Sequence, residues 1–184
     1  MIAGGHHAIL VEDAREIKGE TVHVRIGLDV GGVIIDRIKN DNTDTSFRSD
    51  NFLRTTAVPG AFEAIRAITS AFGPQNVFII SKVKSDAKTR LWLGHNSFYE
   101  RTRFRPENLR FCRERYEKGP IADSLPGGPL THFADDRADV LRHMPHVGTR
   151  YLFGPQEQPE LVSTDGLVPV LTWATVLQHL GLAA

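Results

Sequence analysis

Short apolar segments alternate with amphipathic segments along most of the chain, which is typical of strands that alternate with helices. A short run that is apolar throughout predicts a strand buried on both faces of a sheet. Residues 76–80 meet this criterion most clearly, and further strands are predicted over residues 23–28, 108–112, 130–134, 147–153 and 169–171.

Helices are predicted where apolar side chains recur at the spacing of one helical face. The clearest case is residues 59–72, in which Phe62, Ile65 and Ile68 share a face and Pro59 suits a first turn. A second helix is predicted after a cap at Ser85 or Asp86, and it carries Leu91, Trp92, His95 and Phe98. Two short helices are predicted over residues 117–123 and 138–144. A last helix is predicted over residues 173–180, after a cap at Thr172 or Ser163. This alternation favours an α/β fold, with a mostly parallel sheet and helices on both faces.

The length of 184 residues suits one domain. We expect residues 1–22 to form an N-terminal extension, either a strand packed on the core or a loose leader, and residues 23–184 to form a single domain. Residues 37–57 are polar and predict a flap or small cap loop. No segment is long enough for a large cap domain, so we expect an open crevice. The adjacent His6 and His7 fit a tail better than a metal site.

Charge and cysteine content narrow the functional classes. The chain has 22 basic and 22 acidic side chains, so no overall field attracts it to nucleic acid or to an anionic membrane. The single cysteine, Cys112, cannot form an internal disulfide and suits a reducing compartment. No stretch approaches the ~20 apolar residues of a membrane span, and we recognise no signal peptide. We therefore expect a cytoplasmic protein with neither membrane nor nucleic acid as partner.

Candidate catalytic residues lie where predicted strands end. Right-handed crossovers bring the carboxyl ends of parallel strands to one edge of the sheet, where ligands bind. Asp29, Ser81 and the pair Asp135 and Asp136 each follow a predicted strand, and Lys118 begins a predicted helix. Carboxylate oxygens suit Mg²⁺, and a carboxylate can attack phosphorus. A hydroxyl and an ammonium can bind phosphoryl oxygens, so the set predicts a phosphoryl-handling site.

Each of these residues also has an ordinary structural interpretation. Taken alone, Ser81 fits a strand-end cap, Lys118 a solvated side chain, and the two adjacent aspartates a helix cap. Asp29 with the two glycines that follow also fits a strand end before a turn. Their occurrence together favours a functional site.

The segments resemble, in order and context, the four motifs of the haloacid dehalogenase superfamily. They are Asp29-Val-Gly-Gly-Val-Ile, Ser81 after Phe78-Ile-Ile, Lys118, and Phe133-Ala-Asp-Asp, within residues 23–150. The resemblance implies a Rossmann-like fold with Asp29 as nucleophile and Lys118 steadying it. It also implies phosphate binding by Ser81, and we add Gly32 because its backbone can approach a ligand closely. Mg²⁺ would be held by Asp29, Asp135, Asp136 and the backbone carbonyl of Gly31.

Three features resemble the 5′(3′)-deoxyribonucleotidase branch in particular. They are the residues 32–36, the predicted helix with Lys88 and Trp92, and Asp135-Asp136-Arg137. The resemblance implies a nucleotidase-like phosphatase.

One position departs from the family pattern. Phosphatases of the family carry a second aspartate two residues after the nucleophile, and here that residue is Gly31. Glycine keeps the backbone carbonyl but lacks the side chain that acts as general acid and base. The loss of such a group typically lowers the rate by ~10²–10⁴-fold. We therefore expect slow turnover of poor leaving groups. Asp36 is a poor substitute because we expect the flap to carry it away.

Three functions stay open on the sequence. The first is a Mg²⁺-dependent phosphohydrolase or phosphotransferase that works through an aspartyl-phosphate on Asp29. The second is a catalytically impaired protein that binds a phosphorylated ligand, and the third uses the scaffold for a protein partner. A homo-oligomer, with a neighbouring subunit as lid, is left open.

An arginine-rich stretch, residues 101–115, is interleaved with Phe104 and Phe111 and followed by Tyr116. It fits either a surface that binds a polyanion or the solvated faces of a helix and a strand. We expect the second, with the aromatic side chains pointing inward.

Overall fold

The computed structural model describes residues 16–17, 20–21, 23–37, 47–156, 159 and 162–182. The predictions for His6, His7 and the middle of the flap lie outside these ranges. Within the first 22 residues, strands β1 (Glu16–Ile17) and β2 (Glu20–Thr21) pair antiparallel. They form a sheet separate from the main one, and the division into an extension and a single domain stays a prediction.

Six strands of the described chain form one parallel sheet in the order β5-β4-β3-β6-β7-β8. In this sheet Leu28 lies opposite Ile79 on one side and Ala134 on the other, so β3 is central. The predicted Rossmann-like α/β fold is confirmed. The strands are β3 (Ile26–Leu28), β4 (Val77–Lys82), β5 (Leu109–Cys112), β6 (His132–Asp135), β7 (Thr149–Phe153) and β8 (Val168–Val170).

Helices cover both faces of the sheet, and each face has its own apolar layer. Four helices contribute to one layer: α1 (Ala61–Phe72), α2 (Asp86–His95), α3 (Phe98–Thr102) and α6 (Trp173–His179). Two contribute to the other: α4 (Lys118–Asp123) and α5 (Ala138–Arg142). Short 3-10 turns occur at Phe52–Arg54, Pro74–Asn76, Pro106–Asn108 and Arg115–Glu117.

The helix caps settle two alternatives that the sequence left open. The side chain of Ser85 accepts a hydrogen bond from the backbone nitrogen of Lys88 at 3.3 Å, so Ser85 rather than Asp86 caps α2. Thr172 rather than Ser163 caps α6 in the same way. Both caps satisfy amide groups that the first turn of a helix leaves without a partner.

Most predicted elements differ by a few residues from the bounds in the structure, and two of the differences are described here. The central strand begins at Ile26 rather than at residue 23, and the helix predicted to carry Phe98 ends at His95. Ser97 interrupts it with a φ of 52°, and Phe98 then begins α3. The apolar spacing in the sequence continues across this break, because Trp92 of α2 and Phe98 of α3 both contact Phe62 of α1.

Within the described ranges, no helix combines the length and apolar character needed to cross a bilayer. Cys112 is a buried free thiol, and burial raises its pKa to about 11. The thiol therefore stays protonated near neutral pH and contributes to packing rather than to nucleophilic chemistry.

Candidate active site

Four polar side chains predicted from separate segments meet at the carboxyl edge of the sheet. The ammonium of Lys118 lies 2.8 Å from Oδ1 of Asp29 and 2.6 Å from Oδ2 of Asp135. The hydroxyl of Ser81 donates a hydrogen bond to Oδ1 of Asp29 at 2.7 Å. All four residues are buried, so these contacts occur where water screens charge weakly. The structure thus brings these predicted residues together, while their roles stay predictions.

Lys118 reaches this position because a tight turn leads directly into α4. The carboxylate of Glu117 accepts hydrogen bonds from two backbone amides at the start of that turn, at 2.8 and 3.0 Å. The next residue, Gly119, allows a close approach, since a Cβ there would lie 2.3 Å from the carbonyl oxygen of His143. α4 therefore packs tightly enough to leave Lys118 only 2% exposed.

Burial and ion pairing act in opposite directions on these groups. Burial disfavours the charged form of Lys118, but Asp29 and Asp135 outweigh this effect and raise the pKa of the ammonium above its usual range. Burial, together with Asp29, raises the pKa of Asp135, while Lys118 opposes the rise. Asp135 also accepts a hydrogen bond from the backbone of Arg137 at 3.0 Å. The ammonium is therefore the group that allows two carboxylates to lie close together.

Asp136 completes a cluster of three carboxylates. Each of Asp29, Asp135 and Asp136 offers one ligand atom, and these atoms lie within 4.8 Å of one another. Asp136 pairs through Oδ2 with Arg37 at 2.7 Å, whereas its buried Oδ1 has no hydrogen-bond partner among the described residues. Burial raises the pKa of Asp136 to about 6, and Arg37 opposes the rise. Three carboxylates, one with an unpartnered oxygen, suit a hard divalent cation such as Mg²⁺.

The two glycines in the turn after Asp29 differ in backbone conformation. Gly32 has a φ of 79°, and a Cβ there would lie 2.5 Å from Oδ2 of Asp136, so the turn requires glycine. Its amide donates to the carbonyl of Ile35 at 2.8 Å, so this donor is already engaged within the turn. Phosphate binding by Gly32 stays a prediction.

The position of the absent second aspartate lies beside a guanidinium. Gly31 has no positive φ, and a Cβ there would meet Nε of Arg37 at 3.4 Å, an ordinary contact. Arg37 in turn holds Asp136. The side chain beside position 31 is therefore that of Arg37, a permanent cation, instead of a carboxyl group that could donate a proton.

A cleft of about 820 Å³ opens over this site, and its walls include Asp29, Ser81 and Lys118. Asp36 also lines the cleft, contrary to our expectation that the flap carries it away. Its backbone is held at this place because its amide donates to the carbonyl of Thr56 at 3.0 Å.

Side chains of α2 secure the described part of the flap. The ammonium of Lys88 donates to the carbonyl of Ser49 at 2.8 Å and lies 4.5 Å from the ring centre of Phe52. The indole nitrogen of Trp92 donates to the carbonyl of Thr55 at 3.0 Å. Lys88 and Trp92 therefore fix the segment that borders the cleft.

Sequence reasoning missed three basic residues of the cleft, Arg37, Lys82 and Lys84. Lys82 and Lys84 follow Ser81 closely, so the rule about strand ends could have found them. Arg37 could not be found in this way, because only the fold of the turn brings it back to Gly31.

The arginine-rich stretch is partly engaged within the protein. Arg101 pairs with Glu63 at 3.2 Å and lies over the ring of Phe62. Phe104 is buried as expected, but Tyr116 is 60% exposed, so the expectation of inward-pointing aromatics was wrong for Tyr116.

The crystal structure of a protein from Burkholderia xenovorans, named as a haloacid dehalogenase-like hydrolase, is similar to this chain. The TM-score is 0.53 over 85% of this chain and 96% of the other, at 13% sequence identity. This chain has a haloacid dehalogenase-like fold. No protein-family model matches the sequence, and no curated protein matches it significantly. In this haloacid dehalogenase-like fold, the predicted site residues lie at the carboxyl edge of the sheet and three carboxylates lie close enough to share a metal ion.

Proposed function

We propose that the protein is a Mg²⁺-dependent phosphohydrolase or phosphotransferase of the haloacid dehalogenase type, which works through an aspartyl-phosphate on Asp29. The observation that carries the proposal is the double contact to one oxygen of Asp29. Ser81 and Lys118 both bind Oδ1, while Oδ2 makes no hydrogen bond or ion pair with a described residue. The carboxylate is thus held in one orientation with one oxygen available to a ligand.

The carboxylates of Asp29, Asp135 and Asp136 and the backbone carbonyl of Gly31 would hold Mg²⁺ in this proposal. The unpartnered Oδ1 of Asp136 supports this assignment, because a buried carboxylate oxygen without a donor is unfavourable unless a cation binds it. When bound, the ion would offset the charge of the phosphoryl oxygens.

The chain's own residues then divide the chemistry between them. Oδ2 of Asp29 attacks phosphorus, and the bond from phosphorus to the leaving oxygen breaks. Lys118 binds Oδ1 of Asp29 and stabilises charge on the transferring group, and Ser81 orients the carboxylate. Water, or an acceptor alcohol in a phosphotransferase, then takes the phosphoryl group and frees Asp29. Gly31 cannot protonate the leaving oxygen, so substrates with poor leaving groups should react slowly.

Release of nitrophenol from p-nitrophenyl phosphate tests this proposal, because this leaving group departs without a catalytic acid. We expect turnover that requires Mg²⁺ and is lost in Asp29→Asn, which keeps an oxygen acceptor for Ser81 and Lys118. Arg105→Gln is the matched control, since Arg105 is exposed and does not line the cleft. Equal turnover by folded Asp29→Asn and by the unaltered protein would refute the proposal.

A binding protein for a phosphorylated ligand is the second candidate, favoured by the glycine at position 31. In that case inorganic phosphate should raise the melting temperature, and p-nitrophenyl phosphate should be stable in the presence of the protein. A nucleotide as ligand and a cytoplasmic location both stay predictions. Lys88 and Trp92, part of the basis for the nucleotide prediction, bond to the flap backbone.

A further inference from the structure

Arg37, which lies beside Gly31, supplies a positive charge but no proton that it could transfer. Nη1 of Arg37 pairs with Asp136 at 2.7 Å, and its side chain is 42% exposed and lines the cleft. A guanidinium keeps its protons across the whole physiological pH range, so it stabilises an anion but does not act as a general acid. This position therefore favours a leaving group that departs as an anion over one that must be protonated.

The cleft is strongly basic although the chain as a whole is neutral. Among the residues that the structure describes, eight basic side chains line it, against two acidic ones. Lys118 is already neutralised by its carboxylate partners, and Arg137 pairs with Asp139 at 3.0 Å. Lys82 and Lys84 are exposed and form no ion pair within the described part of the chain. Among the other basic residues of the lining, Arg37 pairs with Asp136 at 2.7 Å and Arg115 lies 4.0 Å from Asp139. Lys88 donates to the flap backbone, and Arg48 also lines the cleft.

Lys82 and Lys84 line the same cleft as Asp29 and Ser81. They follow Ser81, which bonds to the nucleophile, at the end of β4. A cleft of about 820 Å³ is far larger than a single phosphate group requires. The site thus has room and charge for a second anionic group that lies beyond the one being transferred.

We infer that the substrate is a phosphoanhydride, a compound in which the leaving group is itself a phosphate. This inference rests on the proposed function and specifies its substrate class. It accounts together for the absent acid at Gly31, the guanidinium of Arg37 and the basic rim formed by Lys82 and Lys84.

The chemistry balances without a catalytic acid. Oδ2 of Asp29 forms a bond to the terminal phosphorus, and the bond from that phosphorus to the bridging oxygen breaks. The bridging oxygen keeps the electron pair and leaves as part of a phosphate anion, which Arg37 and Lys84 bind. Water then forms a bond to the phosphorus of the aspartyl-phosphate, and the bond from that phosphorus to Oδ2 of Asp29 breaks. This step frees the carboxylate and releases inorganic phosphate and one proton to solvent.

Four compounds test the inference at saturating Mg²⁺: inorganic pyrophosphate, ADP, p-nitrophenyl phosphate and glycerol 3-phosphate. We expect kcat/KM for pyrophosphate or ADP to exceed that for glycerol 3-phosphate by ~10² or more, the effect of an absent general acid. Comparison of pyrophosphate with ADP shows whether the phosphoanhydride substrate is inorganic or a nucleotide.

Variants at Arg37 show whether its charge acts on the leaving group. Arg37→Gln should lower kcat/KM for the preferred anhydride by ~10²-fold, a usual effect of removing an electrostatic stabiliser. Turnover of p-nitrophenyl phosphate should fall less than anhydride turnover, because nitrophenolate delocalises its own charge and depends only on the support that Arg37 gives to Asp136. Arg37→Lys should recover part of the anhydride activity, and Arg105→Gln should leave both rates unchanged.

Binding provides a measurement that does not depend on turnover. Calorimetry with the non-hydrolysable analogue methylenediphosphonate should show tighter binding than with inorganic phosphate, and Lys84→Gln should remove most of the difference. Equal affinities for the two compounds would overturn the inference that the cleft binds a second anionic group.

The outcomes separate the two proposals. Absence of Asp29-dependent turnover with all four compounds would overturn the proposed function itself. Asp29-dependent turnover of p-nitrophenyl phosphate, with anhydrides no better than glycerol 3-phosphate, would overturn only the inference. Equal loss of all activities in Arg37→Gln would also overturn it, because the arginine would then act on the whole site instead of on the leaving group.

Discussion

The substitution Lys118→Met tests the central ion pair most directly. It removes the ammonium but keeps an unbranched side chain of similar length. In the unaltered protein that ammonium lies 2.8 Å from Asp29 and 2.6 Å from Asp135, whose side chains are 7% and 0% exposed. After the substitution, two buried carboxylates face each other without a cation.

The expected loss of stability follows from two opposing contributions. At an effective dielectric constant of about 20, unit charges at these separations attract by about 6 kcal/mol for each pair. Desolvation of three charged groups opposes this gain, and removal of one partner from a buried pair costs about 3–5 kcal/mol. We therefore expect Lys118→Met to lower the free energy of unfolding by about 3–5 kcal/mol near neutral pH.

The loss should depend on pH in a defined direction. Without the ammonium, the pKa of at least one carboxyl lies higher in the folded than in the unfolded protein, so the folded state binds more protons. Protonation then stabilises the folded variant as the pH falls. The deficit should therefore be largest in mild alkali and should decrease toward pH 5.

Urea unfolding followed by the fluorescence of the buried Trp92 and Trp173 measures this free energy. The matched control is Lys82→Met, because Lys82 is exposed at the cleft rim and forms no ion pair with a described residue. Adding Asp135→Asn to Lys118→Met should recover part of the loss. A deficit below about 1 kcal/mol, the value typical of a surface pair, or one that grows on acidification, would refute the reasoning.

Four further substitutions test other parts of the structure. Gly119→Ala places a Cβ 2.3 Å from a backbone oxygen and should lower stability by about 1–3 kcal/mol. Gly94→Ala, with no atom within 4 Å, should instead stabilise the protein, and equal urea midpoints for the two variants would contradict this contrast. Burial lowers the pKa of His132 from 6.5 to about 4, so the folded protein binds fewer protons than the unfolded protein between these values and loses stability as the pH falls through them. His132→Phe should remove this loss, at most about 3 kcal/mol, and a difference from the unaltered protein that does not vary with pH would count against it. Trp92→Phe leaves the carbonyl of Thr55 without its indole donor and should lower stability by about 1–3 kcal/mol, with faster amide exchange in the flap segment. Unchanged exchange would show that the hydrogen bond does not secure the flap.

Much of the sheet could be predicted because its strands are short, apolar runs. Residues 76–80 form the kind of short apolar run that the interior of a parallel sheet buries, and the position of their polar neighbours followed from strand direction. Ser81 and Asp135 were found in this way. The break between α2 and α3 could not be found, because the apolar spacing of Trp92 and Phe98 continues across it.

The parts of the site that sequence reasoning missed depend on tertiary structure. Arg37 stands among polar residues, and nothing in its spacing shows that it contacts Asp136. The overall charge balance also concealed the basic cleft, because composition does not show where charges lie. Tyr116 follows an alternating aromatic pattern, yet it lies at the start of a tight turn and faces solvent.

Gly31 and Gly32 differ in what keeps a larger residue out. At Gly32 the backbone and the neighbouring carboxylate both forbid a side chain. At Gly31 neither does, because the backbone is ordinary and a methyl group would touch only the movable end of Arg37. The backbone and its nearest neighbours would therefore accept a Cβ at position 31, so neither of the two restraints that require glycine at position 32 operates there.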